Sequence, residues 1–383
     1  MAQPKDYGFG EDERILRDSA RRFLDEAATI EKVRQLVAAD ASEAYESAVP
    51  PARYDESAWR SMKELGWTSL AVPEAAGGAG MKCVAVAALA EEIGRRAMPS
   101  PLPSTLLATL ALRAADTGAG RSWLERIAAG SSATLAITNA EGSWEPADTA
   151  VQAEGKDDGA VLEGTAHFVQ DARKASFFVV SAASAEGVGL YVVPAEDPGV
   201  TIRPDHIVDL TRDQARVTFD RVHAPAAAVV APAPRGVEAL RRATPAMLTI
   251  VTADIVGAAD WQLRTTTEYA KVRNQFDRPL GFFQAVKHPI VNMMVAIDET
   301  RSLLYNAACA IDSEPELAER FARMAKSAAA DAAAFCSGRS IQLHGGIGFT
   351  WECDVQIYFK RQKHSQMYLG DGIYQREKLA ALI

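Results

Sequence analysis

Two short segments of the chain carry residue types that could hold an anionic ligand. The first surrounds a Pro-Gly turn between two long helix-prone stretches, and its polar side chains are Arg273, Gln275, Arg278, Gln284 and Lys287. Guanidinium and amide groups donate hydrogen bonds to anionic oxygens, and the N-terminus of the following helix favours negative charge. A charged connection between two helices has the same composition, and composition alone favours that simpler interpretation.

The second segment is rich in glycine. Gln342 precedes Gly345, Gly346 and Gly348, and glycine, which has no Cβ, lets the backbone come close to a flat or charged group. A plain helix C-terminus also favours glycine and explains the run equally well.

Other chemistries find little support in the sequence. The GxGxxG loop of dinucleotide-binding folds, the P-loop and the GxSxG serine motif are all missing. The six histidines and four cysteines lack metal-ligand spacing, so we expect no metal site and reduced cysteines. Lys and Arg number 41 against 50 Asp and Glu, and the resulting net charge of −9 argues against a nucleic-acid partner.

The rest of the chain falls into three zones that would position these segments. Residues 1–130 show helical periodicity, residues 131–232 contain short β-prone runs between turn residues, and residues 233–383 return to helix. We therefore predict a helical domain, a middle β domain and a second helical domain, with these boundaries.

Particular elements can be predicted inside the zones. A helix near the N-terminus would bury one apolar face, formed by Leu16, Ala20, Phe23, Leu24 and Ala27. The β-prone runs of the middle zone indicate an antiparallel sandwich or barrel. In the last zone, three long helices are predicted at 244–270, 285–311 and 316–343.

The sequence also bears on location. The first six residues, Met1-Ala2-Gln3-Pro4-Lys5-Asp6, lead directly into charged residues and lack the apolar segment of a secretory signal. There is no apolar run of the roughly 18 residues that a membrane span requires. These features predict a cytoplasmic protein without a membrane partner.

Three motifs, in this order, resemble the acyl-CoA dehydrogenase family along essentially the whole chain. They are Leu65-Gly66-Trp67-Thr68-Ser69-Leu70-Ala71-Val72-Pro73-Glu74 followed by Gly77-Gly78-Ala79-Gly80, then Arg273-x-x-Phe276 with Gln284-Ala285-Val286-Lys287-His288, and finally Gln342-x-x-Gly345-Gly346-x-Gly348-Phe349-x-x-Glu352. The resemblance implies an α+β fold with an N-terminal helical domain, a middle antiparallel β-barrel or sandwich and a C-terminal four-helix bundle. It also implies assembly as a dimer of dimers.

The activity that the resemblance implies is the α,β-dehydrogenation of an acyl-CoA thioester, with FAD as cofactor and an electron-transfer flavoprotein as electron acceptor. A carboxylate removes the α-proton in this family. That proton is weakly acidic, so its removal needs a desolvated base and hydrogen bonds to the thioester oxygen.

In this family each FAD lies across a subunit interface. One chain contacts the flavin ring and supplies the base, while its neighbour contacts the pyrophosphate and adenosine. The resemblance implies that this chain keeps the neighbour-side contacts, which are Arg273, Gln275, Phe276, Gln284, Gln342, Gly345 and Gly346.

The base is missing at both positions where the family carries it. Leu369 stands at the position of the usual glutamate, and Met247 stands where one branch of the family places it. The motifs that contact the ring from the same chain are also altered. They read Thr138-Asn139-Ala140-Glu141-Gly142-Ser143-Trp144 for Thr-Glu-Pro-x-x-Gly-Ser-Asp, and Phe168-Val169-Gln170 for Trp-x-Thr.

Because the losses fall on one half of the shared site, we predict that this is the base-less chain of an α2β2 acyl-CoA dehydrogenase whose sister chain carries the glutamate. Such assemblies in the family include those that oxidise CoA-activated steroid side chains. Two alternatives remain open. One is a homotetramer in which Asp371 is a displaced base, and the other is a structural or regulatory protein without redox activity.

Overall fold

A computed structural model describes residues 6–383 and confirms the predicted fold class. Residues 1–5, which carry most of the expectation about a secretory signal, lie outside the described residues. The helices are α1 (Glu11–Ala27), α2 (Ile30–Val37), α3 (Ala41–Glu46), α4 (Glu56–Glu64), α5 (Cys83–Arg96), α6 (Leu102–Ala115), α7 (Gly118–Ala128), α8 (Arg235–Val272), α9 (Gln284–Ser313), α10 (Pro315–His344), α11 (Val355–Met367) and α12 (Gly372–Ala380). The strands are β1 (Ala133–Ala136), β2 (Gln152–Lys156), β3 (Gly159–Gln170), β4 (Phe177–Ser184), β5 (Gly187–Pro194), β6 (Val200–Pro204), β7 (Gln214–Pro225), β8 (Val229–Ala231), β9 (Asn274–Gln275) and β10 (Arg278–Pro279).

The predicted apolar face of α1 is found in the structure. Ala20 and Leu24 are fully buried, and the other three members of the face pack against the same core. Glu11, Asp12 and Glu13 occupy the first turn of the helix, where carboxylates interact favourably with the helix dipole.

Helices α5 and α8 cross at very close range because each has a glycine at the contact. A Cβ added to Gly94 would lie 2.1 Å from the carbonyl oxygen of Asp254, and one added to Gly257 would lie 1.9 Å from that of Glu91. No larger side chain fits without moving a helix. This crossing fixes the position of α8, which lines the cavities described below.

The middle zone forms one eight-stranded sheet with the order β6-β7-β3-β2-β4-β5-β8, and β1 pairs with β4. Most pairs are antiparallel, as predicted, but β1 and β2 both run parallel to β4. The sheet is therefore mixed. The long connection from β1 to β4 allows a parallel return, which a turn-by-turn reading of the sequence does not reveal.

The three long C-terminal helices occur where they were predicted, and α11 packs against α8 and α10 as the fourth member of the bundle. Helix α8 begins at Arg235, earlier than expected, and continues through Pro245. One continuous core contains buried apolar residues of all three zones, and Ala97, Ala258 and Tyr358 form a small separate cluster. The domain boundaries at residues 130 and 232 stay predictions.

Two general features complete the fold. No helix within residues 6–383 is long and apolar enough to cross a membrane. Over the same residues, histidine, cysteine, aspartate and glutamate side chains form no group of three or more that could hold a metal ion.

Candidate functional site

The two segments with ligand-binding potential lie at the same end of the bundle. Tyr269, in the last turn of α8, stacks on His344, with ring centroids 4.4 Å apart. Its hydroxyl also donates to the His344 carbonyl oxygen at 3.3 Å. Because Arg273 follows the end of α8 and Gly345 follows His344, this contact places both segments on one surface.

We call this surface the end surface and define it by the predicted cofactor residues: Arg273, Gln275, Phe276, Gln284, Gln342, Gly345 and Gly346. All seven are exposed. In the part of the chain that the structure describes, the Arg273 guanidinium has neither an ion pair nor a side-chain hydrogen bond. An unpaired guanidinium presents a fork of donors that matches the oxygens of a pyrophosphate.

A strained hairpin presents part of the end surface. Strands β9 and β10 pair Gln275 with Arg278, and the two residues between them, Phe276 and Asp277, both adopt left-handed conformations, with φ of 52° and 60°. The Phe276 side chain is 85% exposed. Positive φ is costly for a bulky residue and persists mainly at functional positions, so this exposed ring has the character of a contact residue.

The glycine pair leaves open space beside the hairpin. A Cβ added to Gly345 or Gly346 would meet no atom within 4 Å. Gly345 has a φ of +66°, which favours glycine, but Gly346 has no such requirement. The chain's own packing therefore does not explain Gly346, whereas the close approach of an external group does. The open glycines and the unpaired Arg273 together fit the pyrophosphate part of FAD.

The area around the end surface is unusually apolar for exposed protein. The exposed large side chains there include Val272, Phe276, Phe282, Ile347 and Phe349. These side chains come from the two segments that the Tyr269–His344 contact brings together.

A second site lies between α8, α10, α12 and the segment that precedes β2. We call it the outer cavity; its volume is about 360 Å³, and its lining includes Met247 and Leu369. Both side chains are buried. The structure thus brings the two family positions for the base to one cavity, and both carry side chains that cannot accept a proton.

Two carboxylates line the outer cavity, but each is bound to a cation. Glu145 accepts a hydrogen bond from the Tyr374 hydroxyl at 2.6 Å and forms an ion pair with Lys378. Although burial raises the pKa of Glu145, these two partners outweigh it and hold the pKa below its usual value. Glu319 pairs with Arg323 at 2.7 Å. Glu145, whose charge Lys378 and the Tyr374 hydroxyl stabilise, is therefore a weak base.

Asp371, the alternative base, has a structural role. Its side chain accepts a hydrogen bond from the Tyr374 backbone N–H at 2.8 Å and caps the N-terminus of α12. Asp371 is also not among the residues that line the outer cavity. This geometry does not favour the displaced-base alternative.

Buried polar side chains donate hydrogen bonds to the backbone of the loop that carries Leu369. Leu369 has a φ of 57°, and Gln375 donates to its carbonyl oxygen at 2.6 Å. Lys326, a fully buried residue of α10, donates to the carbonyl oxygens of Gln366 at 3.0 Å and Gly370 at 2.8 Å. Burial lowers the pKa of Lys326 to about 7. These hydrogen bonds therefore fix the conformation of the loop.

The positions expected to contact a flavin ring from the same chain line a third cavity, of about 440 Å³, which includes Trp144, Phe168 and Gln170. The Gln170 amide already donates to the Phe168 carbonyl oxygen at 3.2 Å and to the Gln214 side chain at 2.9 Å. The N–H groups of Gln170 are thus used within the chain, unlike the donors of the end surface. The ring half of the site fits FAD less well than the pyrophosphate half.

Sequence reasoning missed two groups of buried charges, Lys326 and a cluster around Asp254. Both lie on helix faces that are otherwise apolar: alanines flank Lys326 on α10, and Asp254 lies in the apolar run of α8. A single charge inside such a run is the signal that could have identified them.

The chain is similar to known proteins along most of its length. Two family models match the chain: "Acyl-CoA dehydrogenase, N-terminal domain" at residues 10–131 and "Acyl-CoA dehydrogenase, C-terminal domain" at residues 235–383. Among curated proteins, the chain is 31% identical to acyl-CoA dehydrogenase IpdE2 of Mycobacterium tuberculosis over 94% of this chain and 93% of that protein. It is 28% identical to IpdE2 of Mycolicibacterium smegmatis over 97% and 98% of the two chains.

Two solved structures of heteromeric enzymes are also similar. A variant of the Tcur3481-Tcur3483 steroid ACAD superposes with a TM-score of 0.85 at 31% identity, over 98% of each chain. The ChsE4-ChsE5 complex from Mycobacterium tuberculosis superposes with a TM-score of 0.86 at 26% identity, again over 98% of each chain.

Proposed function

The chain belongs to the acyl-CoA dehydrogenase family of FAD-dependent oxidoreductases, and on this premise we propose that it is the base-less chain of an α2β2 acyl-CoA dehydrogenase. One observation carries the proposal. Met247 and Leu369, the two positions at which the resemblance places the base, lie in one cavity whose two carboxylates are both paired with cations, while Arg273 and the two glycines that would receive the pyrophosphate are exposed.

In this proposal the end surface holds the pyrophosphate and adenosine of an FAD whose ring lies in the sister chain. Arg273 would pair with the phosphates, Gln275, Gln284 and Gln342 would supply further polar contacts, Phe276 would pack against the cofactor or the sister chain, and the open backbone at Gly345 and Gly346 would allow close approach. FAD supplies the acceptor for the hydride that leaves the β-carbon.

The sister chain would supply the glutamate that removes the α-proton of the acyl-CoA thioester. The side chains that this chain offers at the corresponding place cannot do so, since its two cavity carboxylates are paired with cations. Heteromeric relatives, one of them titled a steroid ACAD, support a sister chain and a steroid-type acyl group. We propose an electron-transfer flavoprotein as the electron acceptor.

The test is to purify this chain alone and together with a candidate sister chain of the same family that carries the glutamate, and to count flavin per subunit. We expect a heterotetramer with one FAD for each pair of unlike chains, and turnover that is lost when the sister's glutamate becomes glutamine. A homotetramer of this chain alone that carries one FAD per subunit and dehydrogenates acyl-CoA would refute the proposal.

A further inference from the structure

Helix α8 lines two cavities in series. Arg241, Thr244, Met247 and Leu248 face the outer cavity, and Ile250, Val251 and Asp254 face a smaller one farther along the same helix. We call the smaller one the inner cavity. Its other walls come mainly from α5 and α6 and are largely apolar. An apolar chain that entered past Met247 and followed α8 toward Asp254 would extend into the inner cavity.

The inner cavity has almost no free space. Its volume is about 20 Å³, close to the roughly 10–15 Å³ that a single water needs by the same kind of measure. An acyl chain of even a few carbons is much larger than this. Tyr368 lines both the inner cavity and the third cavity, and therefore lies between them. Its ring packs edge-on against Trp144, with centroids 5.3 Å apart.

A buried cluster of charges closes the far end of the inner cavity. Asp254 of α8 accepts a hydrogen bond from Arg212 at 2.6 Å and a second from Arg361 of α11. Arg361 also donates to the Thr211 hydroxyl at 2.8 Å, and that hydroxyl donates to Asp209 at 2.6 Å. Two arginines and two aspartates make the cluster neutral overall, and all four side chains are buried.

The cluster is a stable obstacle rather than a displaceable one. Although burial alone would raise the pKa of Asp254, Arg361 and Arg212 hold it below the ordinary value, so the carboxylate stays ionised at neutral pH. An apolar acyl chain cannot replace the hydrogen bonds of these charges, and separating a buried ion pair leaves uncompensated charge.

We propose that Arg212 and Asp254, supported by Arg361, exclude the acyl group from this chain and thereby restrict the assembly to one acyl-CoA site for each pair of unlike chains. Arg212 and Asp254 are then specificity-determining residues that act by excluding a ligand and not by binding one. The inference rests on the proposed function for the sister chain's role, but the closure itself is a property of this chain alone.

The test uses the assembled complex and a dodecanoyl-CoA that carries a photoreactive diazirine at the end of its acyl chain. After irradiation, mass spectrometry locates the label. In the wild type we expect label on the sister chain and none on α5, α6 or α8 of this chain. Label on those three helices of the wild type would overturn the inference.

Two variants separate closure from general damage. Arg212→Ala with Asp254→Ala opens the inner cavity and leaves Arg361 balanced by Asp209, and we expect at least tenfold more label on α8. The control, Arg212→Met with Asp254→Leu, has the same net charge as the opened variant but keeps the inner cavity filled. We expect no label on α8 in this control. A folded, opened variant without label on α8 would also overturn the inference, and should the opened variant not fold, the wild-type labelling decides.

The outcome for the proposed function is read separately, from the flavin count of the same samples. Two FAD for each pair of chains, with label confined to the sister chain, would refute the proposed division of cofactor contacts and leave the closure standing. One FAD for each pair of chains, with label on α8 of the wild type, would refute the closure of the inner cavity and leave the proposed division of cofactor contacts standing.

Discussion

The ammonium group of Lys326 donates to the carbonyl oxygen of Gly370 at 2.8 Å, from a position inside the bundle that solvent does not reach. This contact joins α10 to the loop in which the family keeps its base. The fold thus supports this loop although Leu369 stands where the resemblance places the base.

Lys326 should make the stability of the protein depend on pH. Burial lowers its pKa to about 7 in the folded state, against about 10.4 in an unfolded chain. Between these values the unfolded state binds more protons, so the contribution of Lys326 to stability rises with pH from about 7 to about 10. The melting temperature of the wild type, minus that of Lys326→Met, should therefore increase over this interval.

The same comparison contains its control. Lys326→Met removes the titrating group but leaves two buried carbonyl oxygens without a donor, which costs about 1–3 kcal/mol for each unsatisfied group. That penalty does not change with pH. If the difference between the two melting temperatures stayed constant from pH 7 to pH 9.5, the lowered pKa of Lys326 would be contradicted.

Asp371 should prove to be a helix cap and not a base. Asparagine is as good a cap as aspartate, whereas alanine costs about 1 kcal/mol. We expect Asp371→Asn to leave both turnover of the assembled enzyme and stability unchanged, and Asp371→Ala to lower only the melting temperature. If Asp371→Asn abolished turnover at an unchanged melting temperature, the displaced-base alternative would be correct.

The cluster around Asp254 should respond to acid. The pKa of this carboxyl group is below its ordinary value in the folded state, so its contribution to stability is present above the unfolded pKa of about 3.9 and is lost as pH falls further. Denaturant unfolding of the wild type from pH 6 to pH 3 should show this loss. A variant with Arg212→Met and Asp254→Leu, which removes one buried charge of each sign, should show less of it, and an equal acid response in the two proteins would argue against the buried carboxylate.

Much of the fold could be predicted because its signals are local. The face of α1 and the long C-terminal helices follow from periodicity, and their bounds differ from the expected ones by a few residues except at the start of α8. Strand direction could not be predicted in the same way. Whether β1 runs parallel or antiparallel to β4 depends on pairing across a long connection, which the residues of either strand do not specify.

The candidate site, like the fold, has features that the sequence predicts and features that only the structure shows. The motif spacing around Arg273 and Gly345 predicts which residues matter, but only the Tyr269–His344 contact shows that the two segments share a surface. The closure of the inner cavity depends on Arg212, Asp254 and Arg361, which come from three separate parts of the chain. No local pattern connects them, so their convergence could be seen only in three dimensions.

Arg273 should contribute directly to cofactor affinity. Hydrogen bonds to charged groups are worth about 1.5–3 kcal/mol, so Arg273→Ala should weaken FAD binding by the assembled protein about 10- to 100-fold. Lys271→Ala is the matched control. It removes one positive charge two residues from Arg273, but the Lys271 side chain is paired with Glu268. Fluorescence titration of the apoprotein with FAD measures both, and equal affinities of the two variants would rule out a special role for Arg273.

Gly346 allows the fold and the cofactor site to be separated. A side chain at this position meets no atom of the chain within 4 Å, so Gly346→Val should leave the melting temperature of the isolated chain within about 1–2 °C of the wild type, since exposed helix-end substitutions usually change stability by less than about 0.5 kcal/mol. The same side chain would occupy the space through which the pyrophosphate approaches, and FAD content of the assembled complex should fall severalfold. Gly338→Val is the control, because Gly338 is equally open but lies within α10, away from the end surface. A Gly346→Val complex with its full complement of FAD would show that the open space at the end of the bundle does not receive the cofactor.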